Sequence, residues 1–383
     1  METDLFDADH EAYRETARVF VQREVVPNLD RWDEVREVDR DTWKKAGAAG
    51  LVGLAVPEEL GGAGVSDYRF RYVLSEEIAK VGASALQSAF GTNDDIVLGY
   101  LLESANDAQR ARWLPGFATG ATVAAIAMSE PGAGSDLRGI TTSARRDGDS
   151  WVLDGSKTFI SNGVTADLVI VVARTDPGAG SSGFSLFVVE RGMPGFRRGR
   201  KLDKVGLTAQ DTAELFFDGV RVPADNLLGE EGGGLRALMR NLPRERLGIA
   251  VAAQCSAEAA FGWTVDHVKQ RVAFGRPLAQ QQSVGFTLAD LRTRVEVTRA
   301  YVDRCVRELN AGTLTAVDAA KAKLWATEMQ WQVIDSGVQL HGGYGYMNEY
   351  PIARAFRDAR VQRIYGGANE VMKEIIGRDL TRQ

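Results

Sequence analysis

The feature that most restricts this chain is a change of rhythm part-way along it. Up to about residue 118, apolar residues recur at helical spacing: Tyr13, Ala17, Phe20 and Val21 form one stripe, Trp43 and Ala46 a second, and Val73, Ile78 and Val81 a third. Asp9 is suited to cap the first helix and Pro27 to end it. A second helix begins near Asp41, and Ser66 or Asp67 starts another after Gly61-Gly62-Ala63-Gly64. Residues 122–128 are then almost continuously apolar with no helical period. Similar short pieces follow at 151–153, 168–172, 184–189 and 213–217, separated by Asp147-Gly148, Asp154-Gly155 and a Gly/Ser/Pro-rich stretch at 176–183. That is strand and hairpin punctuation. Helical patterning resumes at Gly232. Residues 315–341 contain no proline and a single glycine, Gly337, and as one helix would extend roughly 40 Å before Gly342-Gly343 stops it. The order α, β, α excludes a Rossmann alternation and a TIM barrel. It predicts an α+β multidomain protein: an N-terminal helical domain over 1–121, a central antiparallel β domain over 122–231 and a C-terminal helical domain over 232–383.

Charge and sulfur content narrow the function. The net charge is −6, dispersed along the chain, and the densest basic run, Arg197-Arg198-Gly199-Arg200-Lys201, reads as a solvated loop too short for nucleic acid. Cys255 and Cys305 form no CxxC, and His10, His267 and His341 form no HExxH, so the pattern offers neither a disulfide framework nor a metal site. The opening residues are acidic where a secretory signal would be basic, then apolar. No uninterrupted apolar run approaches the roughly 18 residues of a membrane span. These observations predict a cytoplasmic protein with no metal, no nucleic acid and no membrane span.

Two segments carry candidate chemistry. Ser129-Glu130-Pro131-Gly132-Ala133-Gly134-Ser135-Asp136 follows directly on a strand; its glycines let backbone N–H groups approach a flat or anionic ligand, and its serines add hydroxyl donors. It lacks the lysine of a P-loop and the GxGxxG of a dinucleotide site. By itself it is as consistent with a structural loop. Phe159-Ile160-Ser161-Asn162-Gly163 ends another strand, where an aromatic is ordinarily core.

Taken with others in their order, these segments resemble the acyl-CoA dehydrogenase family over essentially the whole chain. The strongest signature is Ala127-Met128 running into the 129–136 loop. Phe159 to Gly163 follows, then Arg271 with Phe274-Gly275 and Gln282, then Gln339-Leu340-His341-Gly342-Gly343 and Tyr365-Gly366-Gly367-Ala368-Asn369-Glu370. The stretches 206–217 and 339–347 look most like the long-chain members. The resemblance implies a C-terminal four-helix bundle, FAD held between the domains, and a homotetramer built as a dimer of dimers. It also implies an acyl-CoA substrate of medium to long or branched chain, with an electron-transfer flavoprotein as acceptor. It assigns Ile126, Met128, Ser129, Gly134 and Ser135 to one side of the flavin, with Ser135 also near the thioester. Phe159, Ile160 and Ser161 take the other side. Arg271, Phe274, Gln282, Gln339, Gly342 and Gly343 reach FAD across a dimer, and Ala368 and Glu370 lie near the cofactor. Ser182, Gly183, Arg246, Tyr365, Gly366 and Gly367 fall to the substrate.

The chemistry needs a carboxylate at the substrate Cα, because an α C–H beside a thioester is only weakly acidic. Many relatives carry this glutamate directly after the tyrosine of the last motif, where this chain has Gly366. Long-chain and isovaleryl-type members carry it in a run like Leu242-Pro243-Arg244-Glu245-Arg246, which makes Glu245 the expected base. Glu370 is the next candidate, and Glu130 reads as structural. Ala368 stands where relatives usually have threonine, and Arg363 has no sequence account. A carrier-protein thioester substrate, an O2-using oxidase and a non-catalytic scaffold all stay open at this point.

Overall fold

The computed structural model describes residues 4–381; Met1-Glu2-Thr3 and the last two residues lie outside that range. Seven helices come first: α1 Ala8–Phe20, α2 Leu29–Val35, α3 Arg40–Ala48, α4 Tyr68–Lys80, α5 Ser84–Gly91, α6 Leu98–Ser104 and α7 Asp107–Ala118. Their caps sit a residue or two from some expected places. Asp7, not Asp9, receives the first free N–H groups, from Asp9 and His10, and Asp39 caps α3. Asp67 caps α4 as the sequence suggested. Pro27 does not end the first helical run outright: the chain passes through a π turn, Val21–Val25, and a 3-10 turn, Val26–Asn28, into α2. A second π turn, Thr92–Val97, joins α5 to α6 as one continuous rod.

Eight strands follow: β1 Ala124–Ala127, β2 Ser143–Asp147, β3 Ser150–Ser161, β4 Leu168–Arg174, β5 Phe184–Glu190, β6 Phe196–Lys201, β7 Thr212–Pro223 and β8 Leu227–Leu228. They form one sheet in the order β6-β7-β3-β2-β4-β5-β8, with β1 on β4. The antiparallel expectation needs correcting, because β1 and β2 both run parallel to β4. A parallel pair needs a long connection, and the whole β2–β3 hairpin lies between β1 and β4. β6 corrects the reading of the basic run as a solvated loop. It is a charged edge strand on β7, with Arg197 over the Phe216 ring and Arg198 over Phe196.

The third part is helical: α8 Gly234–Gln270, the β9 Val272–Ala273/β10 Arg276–Pro277 hairpin, α9 Gln282–Asn310, α10 Ala316–His341, α11 Pro351–Ala359 and α12 Asn369–Thr381. The Ala-rich stretch is one helix capped by Thr315, and it packs on α8, α9 and α12. Small residues bring α10 and α8 close. A Cβ on Gly337 would sit 2.8 Å from Thr264 Oγ1 and 2.9 Å from Ile352 Cδ1. The N-terminal face of α8 also packs on α4 and on the α5–α6 rod, so this one helix belongs to two cores.

Candidate active site

Glu245 lies on α8 and is only 5% exposed. Its Oε1 accepts a 2.7 Å hydrogen bond from the Tyr100 hydroxyl on α6. Burial raises the carboxyl to about 7, while the Tyr100 hydrogen bond and the Arg246 charge pull the other way. Burial and the adjacent carboxylate push the Tyr100 phenol far up, so it stays protonated and only donates. A carboxyl poised near neutrality is what a general base for a weak carbon acid requires.

The loop opposite is held against the same helix. A Cβ at Gly366 would stand 2.2 Å from Cδ1 of Ile249, one turn beyond Glu245. Gly366 adopts φ +62, so a side chain there would be strained as well as crowded. The space beside this glycine is filled by Ile249, not by Glu245 itself. Gly367 packs on Met372 and approaches Arg246. Arg246 is buried, and its Nε has no protein partner. Lys323, fully buried on α10, donates to the Gly367 carbonyl and to Asn369 Oδ1, both at 2.8 Å. Asn369 donates in turn to Glu328, which Arg363 grips through Nε and Nη2 at 2.9 Å each. That is the account of Arg363 missing from the sequence: it anchors the helix start behind the glycine loop. The Tyr365 hydroxyl bonds to Ser88 on α5.

On the sheet side, Glu130 fastens the 129–136 loop. It accepts from Thr141 N, Thr141 Oγ1, Thr142 N and Lys157 Nζ at 2.7–2.9 Å. Burial opposes its charge, but these hydrogen bonds and the lysine prevail and hold it at about 2. With the loop so braced, Ile126, Met128 and Ser129 stay half-buried, and Gly134 and Ser135 face outward. A bulge between Lys157 and Ile160 throws Phe159 out of the sheet at φ +58 with 70% of its surface exposed. A large apolar side chain in a left-handed backbone conformation, facing solvent, is a strained arrangement that a flat apolar ligand would complete. Ile160 can offer only its backbone there: its side chain lies in the sheet core, because alternation turns it away from the face that Phe159 and Ser161 present. The two halves of the site are bolted together through the α5–α6 rod. Asn93 accepts from Ala124 N at 2.8 Å, and Asn162 donates to the Ala89 carbonyl at 3.1 Å.

The comparisons decide the family. Residues 7–121, 125–220 and 232–381 match the N-terminal, middle and C-terminal domains of acyl-CoA dehydrogenase. The chain belongs to the acyl-CoA dehydrogenase family. The mitochondrial long-chain specific acyl-CoA dehydrogenases of pig, mouse and rat are each 48% identical over 378 residues, covering 98% of this chain and 87% of theirs. The crystal structure of an acyl-CoA dehydrogenase from Geobacillus kaustophilus superposes with a TM-score of 0.97 at 46% identity over 100% of both chains. A chain from a structure described as an electron transferring flavoprotein of Acidaminococcus fermentans matches with a TM-score of 0.95 at 35% identity, again over 100% of both. The fold is the FAD-binding fold of this family. The cytoplasmic expectation is overturned, since the mammalian long-chain relatives are mitochondrial proteins.

The remaining acyl-CoA dehydrogenase motif residues cluster in three places. At the far end of the bundle, His267 stacks on His341 at 4.2 Å and the Arg271 guanidinium lies 5.7 Å from the Tyr344 ring. That joins the hairpin, with Phe274 and Gln282, to Gln339, Gly342 and Gly343. Phe274 stands at φ +54 and is 95% exposed. Near the start of α8, Ser182 is exposed and Gly183 is wedged where a Cβ would meet the Asp176 carbonyl at 2.0 Å. Ala368 is half-buried and Glu370 exposed, in the first turn region of α12. Sequence reasoning missed Tyr100 and Lys323. Each sits in a helix where its lone polar group carries no pattern, and their partners are 145 and 44 residues away. Only the fold reveals them.

Proposed function

We propose that Glu245 is the base of the acyl-CoA dehydrogenase reaction in this chain, removing the α-proton of an acyl-CoA thioester while hydride leaves Cβ. FAD, when bound, supplies the two-electron acceptor for that hydride. The observation that carries this reading is the buried Glu245 carboxyl, raised to about 7 and held by Tyr100. Proton transfer from Cα is helped when the base is desolvated and fixed, and both conditions hold here. The backbone N–H groups of the Gly366-Gly367 turn would donate to the thioester carbonyl, a role that needs no side chain. Lys323 restrains that turn. Arg246, buried beside Gly367 with an unpartnered Nε, would meet the CoA portion together with Ser135, Ser182 and Gly183.

The residues present fit FAD. Phe159 and Ser161 on one side, and Ile126, Met128, Ser129, Gly134 and Ser135 on the other, would hold the ring, with Ile160 contributing backbone only. Arg271, Phe274, Gln282, Gln339, Gly342 and Gly343 would reach a cofactor bound mainly by a neighbouring subunit, with Ala368 and Glu370 close to it. The exposed apolar surface of Phe274, Phe286, Tyr344, Tyr346 and Met347 supports a homotetramer, since monomers rarely leave so much uncovered. The match to the Acidaminococcus structure supports an electron-transfer flavoprotein as acceptor. Nothing in the fold or the comparisons favours the carrier-protein or non-catalytic readings. The test is anaerobic bleaching of the bound flavin by saturated acyl-CoAs of graded length. At least one should bleach it within seconds; an FAD-loaded protein that none of them reduces refutes the reading.

A further inference from the structure

The face of the α5–α6 rod beside Glu245 carries a carboxylate, Asp95, where a plain acyl chain would call for hydrocarbon. The α5–α6 rod packs on α8, yet Ser88, Gly91 and Asp95 on one side and Gly248, Ile249 and Ala252 on the other remain half-open. The Tyr365 bond to Ser88 and the seating of Gly366 on Ile249 place the substrate loop along the same cleft. An acyl chain with its Cα at Glu245 that continues along α8 passes Gly248 next, three residues on.

At that point two glycines open a window. A methyl group on Gly248 would stand 3.1 Å from Tyr68 Oη and 3.6 Å from Asp95 Oδ2, and one on Gly91 would stand 3.2 Å from the same carboxylate oxygen. Asp95 is held by Arg71 through Nε and Nη2 at 3.1 and 3.2 Å. Arg71 is 6% exposed, and its third nitrogen, Nη1, is buried with no protein partner. Arg244, stacked over the Tyr68 ring at 5.9 Å, likewise has a buried Nε without a partner. A buried donor left unpaired is unfavourable, so a ligand group that pairs with it is selected.

We propose that this chain's acyl pocket recognises acyl-CoAs whose chain carries a hydroxyl group a few carbons beyond the thioester. The proposal rests on Glu245 being the base, and it names the substrate class of that same site. Gly248 lies about 4.5 Å along the helix from Glu245, or roughly three to four carbons of extended chain, which puts the hydroxyl near C5 or C6. A hydroxyl there can donate to the Asp95 carboxylate and accept from the Tyr68 hydroxyl, the two groups that edge the window. A carboxylate would be repelled by Asp95, an ammonium by Arg71, and a ketone leaves Asp95 unmet.

The test is equilibrium binding, by calorimetry, of octanoyl-CoA and its 5- and 6-hydroxy derivatives to the FAD-loaded Glu245→Gln protein, which holds substrate without turning it over. The expected result is at least one hydroxylated chain binding about tenfold tighter than the plain chain. An Arg71→Met/Asp95→Leu double variant should abolish or reverse that preference. Should it fail to fold, Gly248→Ala closes the window while keeping both members of the ion pair and should likewise erase it. Octanoyl-CoA binding as tightly as both hydroxylated chains overturns the proposal. Failure of the base assignment shows separately, as undiminished flavin reduction by Glu245→Gln.

Discussion

Replacing Tyr100 by phenylalanine isolates the one contact that both positions Glu245 and stabilises its charged form. The ring is buried and phenylalanine keeps its volume, so packing survives while the 2.7 Å hydrogen bond is lost. A hydrogen bond to a charged group is worth about 1.5–3 kcal/mol, and one pKa unit is 1.36 kcal/mol. The Glu245 carboxyl, now at about 7, should therefore rise by about one to two units in the variant. The sign is fixed: the base acts ionised, so kcat/KM for flavin reduction rises with pH through its pKa, and the rising limb moves to higher pH. The assay is anaerobic stopped-flow reduction of the bound flavin across pH 5.5–9.5, comparing the two proteins. Near pH 7, where the wild-type base is already half protonated, the variant should be slower by about five- to fiftyfold, recovering most of its rate at the alkaline end. A limb that stays put, or a rate deficit independent of pH, shows that Tyr100 only fills space and that the acidity of Glu245 is set elsewhere.

Other outcomes follow from the same geometry. Glu245→Gln should keep its FAD and lose about 10²- to 10⁴-fold in reduction rate, measured on the same instrument; near-normal reduction would rule Glu245 out as the base. In the wild type, the folded-state carboxyl at about 7 lies above its ordinary 4.5, so folding binds protons and stability falls as pH rises from about 4.5 to 7. Denaturant melts of the apoprotein should show that slope weakened in Glu245→Gln. Phe159→Gly relieves a left-handed backbone and should stabilise the apoprotein by about 1 kcal/mol while weakening FAD retention; a lower melting temperature in the apoprotein would show that the exposed ring has an intramolecular role. Ala368→Thr supplies a hydroxyl beside the cofactor and should tighten FAD binding about two- to tenfold, as read by fluorescence on reconstitution, with no change taken as proof that position 368 does not reach it.

Much of this protein was legible in order and motif. The α-β-α succession, the cap at Asp67, the single helix from 315 to 341 and the stop at Gly342 follow from local chemistry that a linear reading captures. Glu245 was identifiable only because Gly366 occupied the alternative position. β2 and β6 escaped because charged strands lack an apolar signature, and the parallel seat of β1 depends on a pairing across 44 residues. That the Ile160 side chain lies in the core was hidden, because the bulge that frees Phe159 leaves its neighbour's alternation intact.

What the sequence by itself determined is which groups exist: a helix-borne glutamate, a glycine pair where relatives differ, and a Gly/Ser loop after a strand. What only the tertiary structure decided is what those groups are worth. Glu245 is an ordinary carboxylic acid until α6 removes water from it and Tyr100 is laid against it. Asp95 and Arg71 are two surface-type residues until α4 and the α5–α6 rod bring them together as a pair beside Gly91 and Gly248. Acidity and recognition depend on desolvation and on partners distant in the chain, and no local pattern encodes either.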